Sequence, residues 1–453
     1  MSNESNWVTP DNVGLLTDLY ELTMLQAFWE AGMHGEAVFT TFVRRLPRDR
    51  NYLLAAGLDD ALAALEALRF TTDSLDYLAT LPQFRPAFLE WLAEWRFEGD
   101  VYAVPEGTPV FANEPILEVV APIAQAQLPE TVIMNQLHYQ TLVATKGARV
   151  VHAAKGRKVV DFGLRRIHGY DAGIKSARAF YIAGVDATSN VLAGRLYGIP
   201  VAGTMAHSFV QAYDHEIDAF RAFARLYPGT TLLVDTYDTL EGVRRAVEVA
   251  RELAPDSVIG AIRLDSGDLA DLARRARAIL DDAGFPEIRI FASGGLDEYE
   301  VAALVDAGAP IDAFGVGTAM GVSADAPSLD IAYKLTEYGG RGRIKLSPGK
   351  AILPGRKQVF RLEDAEGRAV RDIIARWDED LPGRPLLEKV MERGRRLDPG
   401  RSGLEAARAR ARLEISRLPD HIQSIGAASE PYPVEVSAEL RAMSQAVART
   451  ARD

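Results

Sequence analysis

The stretch VIGAIRLDSGDLADLARRARAIL, residues 258–280, sets the reading of the whole chain. Val258 to Leu264 is an apolar, β-prone run broken only by Arg263. Asp265-Ser-Gly-Asp268 then supplies turn residues, and from Leu269 to Leu280 apolar residues return at helical spacing. A nearly all-apolar strand followed at once by a helix is the repeating unit of a parallel sheet covered by helices.

Working outward, the same rhythm recurs on both sides. Lys158 to Phe162 reads as a strand before a helix over 172–183, and Ile199 to Ala202 as a strand before a helix from Ser208. Thr231 to Asp235 precedes a helical stripe over 239–253, Ile288 to Ala292 precedes 297–306, and Ile311 to Val316 follows. So many consecutive βα units favour a barrel over an open sheet, although periodicity alone leaves closure open. The flanks differ. Residues before about 130 mix helices (15–30, 58–67, 88–95) with strands near 38–43 and 116–120, and a small β layer over 102–111. After Ser328 the chain turns β-like, then ends in an Arg-rich helix over 406–418, a solvated face packed by Leu413, Ile415 and Leu418, and in PYPVEVSAEL. The expected division is 1–130, a barrel over 131–345, and a segment 346–453 that packs back on the N-terminal domain.

Composition excludes several classes. A chain of 453 residues, 48% hydrophobic and 25% charged, is an ordinary globular one. It contains no cysteine, which removes disulfides, thiolate zinc sites and cysteine nucleophiles. MSNESNWVTP lacks the regions of a signal peptide, and no apolar run spans a bilayer, so a cytoplasmic enzyme without membrane contact is expected. A net charge of −12 opposes nucleic-acid binding. Any anionic substrate must therefore meet a local concentration of cations and backbone amides.

Catalytic groups of parallel α/β folds collect where strands end. Here those ends read Asp161-Phe-Gly-Leu-Arg-Arg166, Gly203-Thr-Met-Ala-His207-Ser208, Asp235-Thr-Tyr-Asp238, Arg263-Leu-Asp265, Ser293-Gly-Gly295 and Gly317-Thr318. Taken singly, Gly-Gly is a turn, Arg-x-Asp a solvated pair, and His207 reads equally as a polar loop residue or a functional one. Six polar ends on one rim make a site. Ser208 is placed as a helix N-cap. The glycines let backbone amides approach a phosphate. Arg263 suits a phosphate clamp, while Asp265 suits ribose hydroxyls or Mg²⁺. Phe162 with Arg165 or Arg166 suits a flat anionic ring.

TDLYELTM, FGLRR, DATSNVLAG, PVAGTMAHS, VDTYDT, IRLDSGD, ASGGLD and FGVGTAMG, in this order, resemble the nicotinate phosphoribosyltransferase family over almost the whole chain. The resemblance implies an irregular TIM-like α/β barrel, an N-terminal α/β sandwich domain completed by C-terminal segments, and a homodimer with shared sites. It implies synthesis of nicotinate mononucleotide from nicotinate and phosphoribosyl pyrophosphate, with ATP as co-substrate and Mg²⁺ as the only metal expected. By the same resemblance His207 takes a phosphoryl group from ATP, and Asp238 orients its ring. Phe162 and a partner subunit's Tyr20 sandwich the pyridine, and Arg165 with Arg166 meets its carboxylate. Arg263 and Asp265 lie near sugar and pyrophosphate; Ser293, Gly294, Gly295, Gly317 and Thr318 cradle the 5′-phosphate. Asp186, Thr204, Ser208 and Asp235 complete the substrate-binding set. Lys345 and Lys350 read as a polar hairpin or as ATP-phosphate ligands, and Tyr20 reads also as core on one helical face.

Three alternatives stand beside this reading. A nicotinamide enzyme needs an acceptor for an amide, whereas Arg165-Arg166 favours an acid. A quinolinate enzyme has no use for His207. A non-catalytic barrel binding a phosphorylated ligand needs the glycines but not His207 or the carboxylates.

Overall fold

A computed structural model describes residues 7–254, 258–347 and 352–451; Lys350 therefore lies outside the described residues. The chain divides into two compact units, Met1–Leu142 with Ser328–Asp453, and Val143–Pro327. The boundaries thus fall at 142 and 328 rather than near 130 and 345. The second shift has a clear cause: the strand Ile331–Tyr338 pairs along the whole of Glu36–Val43, from Ala37 opposite Tyr338 to Val43 opposite Ile331.

In the first unit that pair sits inside a seven-stranded antiparallel sheet, extended by Leu117–Pro122, Asp100–Ala103 and Glu388–Glu392. C-terminal segments therefore complete the N-terminal sheet, as expected. A four-stranded sheet built on Lys357–Glu363 and Ala369–Arg376 accompanies it. The Arg-rich helix runs Leu404–Ser416 but packs through Ala407, Ala411 and Glu414, not Leu413, which is half exposed. Glu414 is drawn inward because it pairs with the buried Arg361 and with Arg384.

Glu21, on the helix Leu19–Glu30, is fully buried, and burial pushes its carboxyl up to about 7 against hydrogen bonds from Thr17 and Thr131. Between its unfolded value and about 7, the folded state holds a proton that the unfolded chain has released. Stability must therefore fall by roughly 3 kcal/mol as pH rises through that window, and level off above it. Urea unfolding at pH 5 and 7 should show this loss in wild type and not in Glu21→Gln. Equal slopes in the two proteins would refute it.

In the second unit six strands form one parallel sheet: β1 Lys158–Asp161, β2 Ala187–Thr188, β3 Thr230–Leu233, β4 Ile259–Leu264, β5 Arg289–Ser293 and β6 Ala313–Val316. Their order is β2-β1-β6-β5-β4-β3. Buried Val159, Leu232, Ile262, Ile290 and Phe314 explain the apolar runs, since these side chains face the covering helices. Asp238, Asp268 and Asp297 cap the helices Thr239–Leu253, Leu269–Asp282 and Glu298–Asp306, each accepting from first-turn amides.

The expected strand at 199–202 is reduced to one parallel bridge, Val201 to Thr188. Pro200 has no amide to donate, and two residues of β2 give little to pair with. No pairing among the described residues joins Val201 to β3, so the hydrogen-bonded sheet is a half-barrel. The helix expected from Ser208 is also broken, into His207–Gln211 and Glu216–Leu226. Its aromatic stripe survives the break: Phe209 lies 5.3 Å from both Tyr213 and Phe223, ring centre to ring centre. Among the described residues no helix is long and apolar enough to cross a membrane.

Candidate active site

Strand alternation puts Phe162, Arg263, Asp265 and Ser293 on the inward side of the sheet at its C-terminal rim, and the side chains interlock. Arg263 is the hub. Its Nη2 donates to Asp265 Oδ1 (2.6 Å), its Nε to Ser293 Oγ (2.7 Å) and its Nη1 to Thr204 Oγ1 (2.9 Å). Its guanidinium also lies 5.3 Å from the Phe162 ring centre, within cation–π range. A planar five-donor fork makes all three bonds at once; an ammonium does not.

Asp265 is half-buried. Burial works to raise its carboxyl, but hydrogen bonds from Ser293 and Arg263 and the charges of Arg263 and His207 outweigh it and hold it below the ordinary carboxylate range. The neighbouring Asp235 accepts from the Asp265 amide (2.9 Å) and Ser266 Oγ (2.7 Å) through Oδ2, while its buried Oδ1 has no hydrogen-bond partner among the described residues. His207 opens the short helix His207–Gln211, so Ala206 and not Ser208 occupies the N-cap position. The imidazole Nδ1 hydrogen-bonds with Thr236 Oγ1 (3.1 Å), and Nε2 stands 3.8 Å from Asp265 Oδ2.

Asp238 therefore does not orient the ring. Its Oδ1 accepts from the Glu241 amide at 2.8 Å, because the start of a helix leaves amides that a nearby carboxylate satisfies first. Asp186 is likewise displaced from the site: it precedes β2, at the N-terminal end of the sheet, and accepts from the Val159 amide. Thr236 was missed as a single residue, though it lies in VDTYDT. Asp161 was missed as a positioning group. It is buried, and its carboxylate accepts from the Gly163 amide (2.8 Å) and Thr188 Oγ1 (2.7 Å), fixing the turn that presents Phe162. Burial raises its pKa against those two bonds. Phe291, 5.7 Å from Phe162 between ring centres, was missed too; its alternation with Ser293 on β5 was the available signal.

Arg165 and Arg166 occupy a 3₁₀ turn, Leu164–Arg166, where both are exposed and neither has an ion-pair partner among the described residues. Gly294 and Gly295 have φ of +97° and +70°. A Cβ on Gly294 would stand 1.8 Å from the Asp265 carbonyl oxygen, whereas one on Gly295 meets open space. Gly294→Ala should therefore move Asp265 as well as strain the backbone, whereas Gly295→Ala adds only the left-handed penalty of about 1–2 kcal/mol. Thermal unfolding and kcat/KM for both variants check this; equal losses would refute it. Gly317 and the exposed Thr318 follow β6 beside Phe162, with the Gly317 Cβ position 3.1 Å from the Phe162 carbonyl oxygen. Tyr20 belongs to the other unit and is about half exposed, not core.

Comparison with known proteins gives the family. Residues 15–138 match the family described as the nicotinate phosphoribosyltransferase (NAPRTase) N-terminal domain, and 157–348 the nicotinate phosphoribosyltransferase (NAPRTase) family. The chain is 55% identical over 423 residues to a nicotinate phosphoribosyltransferase of Mycobacterium tuberculosis, covering 93% of this chain and 91% of that one. The Bacillus subtilis nicotinate phosphoribosyltransferase is 43% identical over 380 residues, covering 82% and 78%. The crystal structure of human nicotinic acid phosphoribosyltransferase superposes with a TM-score of 0.85 at 30% identity, over 95% of this chain and 99% of that one. On these matches, the chain belongs to the nicotinate phosphoribosyltransferase family.

Proposed function

We propose that the chain makes nicotinate mononucleotide and pyrophosphate from nicotinate and phosphoribosyl pyrophosphate, and couples the reaction to ATP hydrolysis through His207. The observation that carries the reading is the connected set Arg263–Asp265–His207 on a rim already supplied with glycine turns and two unpaired arginines. A binding barrel would have no use for that connection.

On this reading the pyridine lies on Phe162, and Arg165 or Arg166 neutralises its carboxylate. The ring nitrogen attacks ribose C1, the C–O bond to pyrophosphate breaks, and Arg263 meets the departing charge. Amides of Gly294, Gly295 and Gly317, with Ser293 and Thr318, receive the 5′-phosphate. His207 accepts the γ-phosphoryl group of ATP, releasing ADP, and water later cleaves the P–N bond to give phosphate. Thr236 holds the ring, and Asp265 balances charge on it. Asp235 and Asp265 would hold Mg²⁺, since this ion takes one or two carboxylates plus substrate phosphates and the Asp235 Oδ1 has no hydrogen-bond partner among the described residues. When bound it neutralises phosphate charge. A cytoplasmic setting belongs to the same proposal.

Nicotinate, nicotinamide and quinolinate, each with phosphoribosyl pyrophosphate and with or without ATP, test the assignment by product analysis. Nicotinate alone should react well, and faster with ATP. Equal turnover of nicotinamide or quinolinate would overturn it.

We also propose a homodimer in which Tyr20 completes the neighbour's site. Exposed Leu16, Leu19, Tyr20 and Met24 on one unit, and Val191, Leu192, Leu196 and Val201 on the other, are apolar surface for such an assembly. Mixed Tyr20→Ala and Arg263→Ala chains should recover about a quarter of wild-type activity through heterodimers with one intact site. No recovery, with heterodimers shown to form, would place both residues in one subunit's site.

A further inference from the structure

The inward face of the parallel sheet carries a second constellation at its N-terminal end. Val160, Ala202, Thr231, Ala261, Phe291 and Ala313 line a cavity of about 810 Å³ there. It exists because those side chains are mostly small at levels where a filled barrel holds bulky branched ones. Its volume is that of a small-molecule site.

The mouth of this cavity is basic, in a protein of net charge −12. Lys158 and Arg289 line it, are exposed, and have neither an ion-pair nor a side-chain hydrogen-bond partner among the described residues. Arg157 and Arg277 line it too, tied to the carbonyls of Ile311 (2.9 Å) and Ile288 (2.7 Å), and Arg277 is also neutralised by Asp281 (2.8 Å). Among the described residues the one lining carboxylate, Asp312, accepts from the Ile290 amide at 2.8 Å. Phe291 forms a wall, and its ring stands at 36° to that of Phe162 on the rim side.

We propose that this cavity binds a nucleoside monophosphate, its planar base on Phe291 and its phosphate held by Lys158 and Arg289. Cations meet phosphate, a ring meets a ring, and small side chains leave room for the base. The site lies on the same sheet face as the rim but at the opposite strand ends. An occupant that shifts Phe291 shifts Phe162, so occupancy changes the affinity of the rim for its own planar ligand. By reciprocity, the rim ligand changes the affinity of the cavity by the same factor.

Binding at the cavity is read by dialysis without turnover, so its failure is distinguishable from failure of the reaction assigned above; only the effect on the rim rests on that reaction. Equilibrium dialysis with adenosine 5′-monophosphate and, separately, nicotinate mononucleotide is performed on wild type, Lys158→Ala/Arg289→Ala, Ala313→Leu and Arg263→Ala. Wild type should bind at least one of the two nucleotides at a site that persists in Arg263→Ala. The double variant should weaken that site at least tenfold, and Ala313→Leu, which fills the cavity beside Lys158 while leaving both cations in the chain, should weaken it similarly. The preferred nucleotide identifies the base. Without added nucleotide, the double variant should keep the wild-type KM for nicotinate; with saturating nucleotide, KM should change in wild type alone. Binding unaltered in both cavity variants, or no binding by wild type at millimolar nucleotide, would overturn the proposal.

Discussion

Arg263→Ala is expected to lower kcat/KM by roughly two to four orders of magnitude while leaving the fold intact. The guanidinium side chain is only 13% exposed and serves three oxygen acceptors, those of Asp265, Ser293 and Thr204. Its removal takes the guanidinium from between the Asp265 and Asp235 carboxylates and the incoming pyrophosphate. A preorganised group that meets developing charge is worth about 10²–10³ in rate, and a full cation serving three acceptors extends the range to about 10⁴. The carboxyl of Asp265 should also move up, because Arg263 is among the groups holding it down. The acid limb of the pH–rate profile should therefore shift to higher pH in Arg263→Ala. Arg263→Lys keeps the charge but not the three-way fork, so its activity should lie between the two. Activity within tenfold of wild type in Arg263→Ala would remove this residue from the reacting centre.

His207→Ala should keep ATP-independent synthesis of nicotinate mononucleotide and lose all stimulation by ATP. The ring is a third or more exposed, so a phosphoryl donor can reach it, and it is held by Thr236 on one side with Asp265 on the other. Imidazole is a nucleophile near neutral pH and forms a labile phosphoramidate, which suits energy coupling rather than attack on the sugar. Wild type incubated with γ-³²P-ATP should carry acid-labile label on His207. Thr236→Val should slow labelling without blocking it, since the ring remains but its orientation is no longer enforced. Label on another residue, or intact ATP stimulation in His207→Ala, would refute the assignment.

Nucleotide binding at the basal cavity and phosphoryl transfer at the rim would share one sheet. That arrangement depends on the period of two along each strand: Lys158, Val160 and Phe162 face one way, as do Arg289, Phe291 and Ser293.

The amino-acid sequence alone determined whatever depends on neighbours a few residues apart. Apolar runs such as Ile259–Leu264 followed by helical stripes specify βα units, because each element must bury one face whatever its partner. That Arg263 and Asp265 share a side was equally local, two residues apart at a strand end; their hydrogen bond to each other was not read from it. Tertiary structure decided what depends on competition between distant groups. Which carboxylate stands beside His207 was settled by helix geometry, since Asp238 is consumed by its own helix start and Asp265 reaches over from the next strand. Asp186 belongs to the wrong end of the sheet because a two-residue strand follows it, and so short a strand leaves no pattern to read. The closing of the N-terminal sheet by Ile331–Tyr338 and Glu388–Glu392, and the basal cavity lined from five strands, are set by pairings between segments far apart in the chain. No local propensity encodes those contacts, because their stabilisation comes from surface buried only once the distant strands have met.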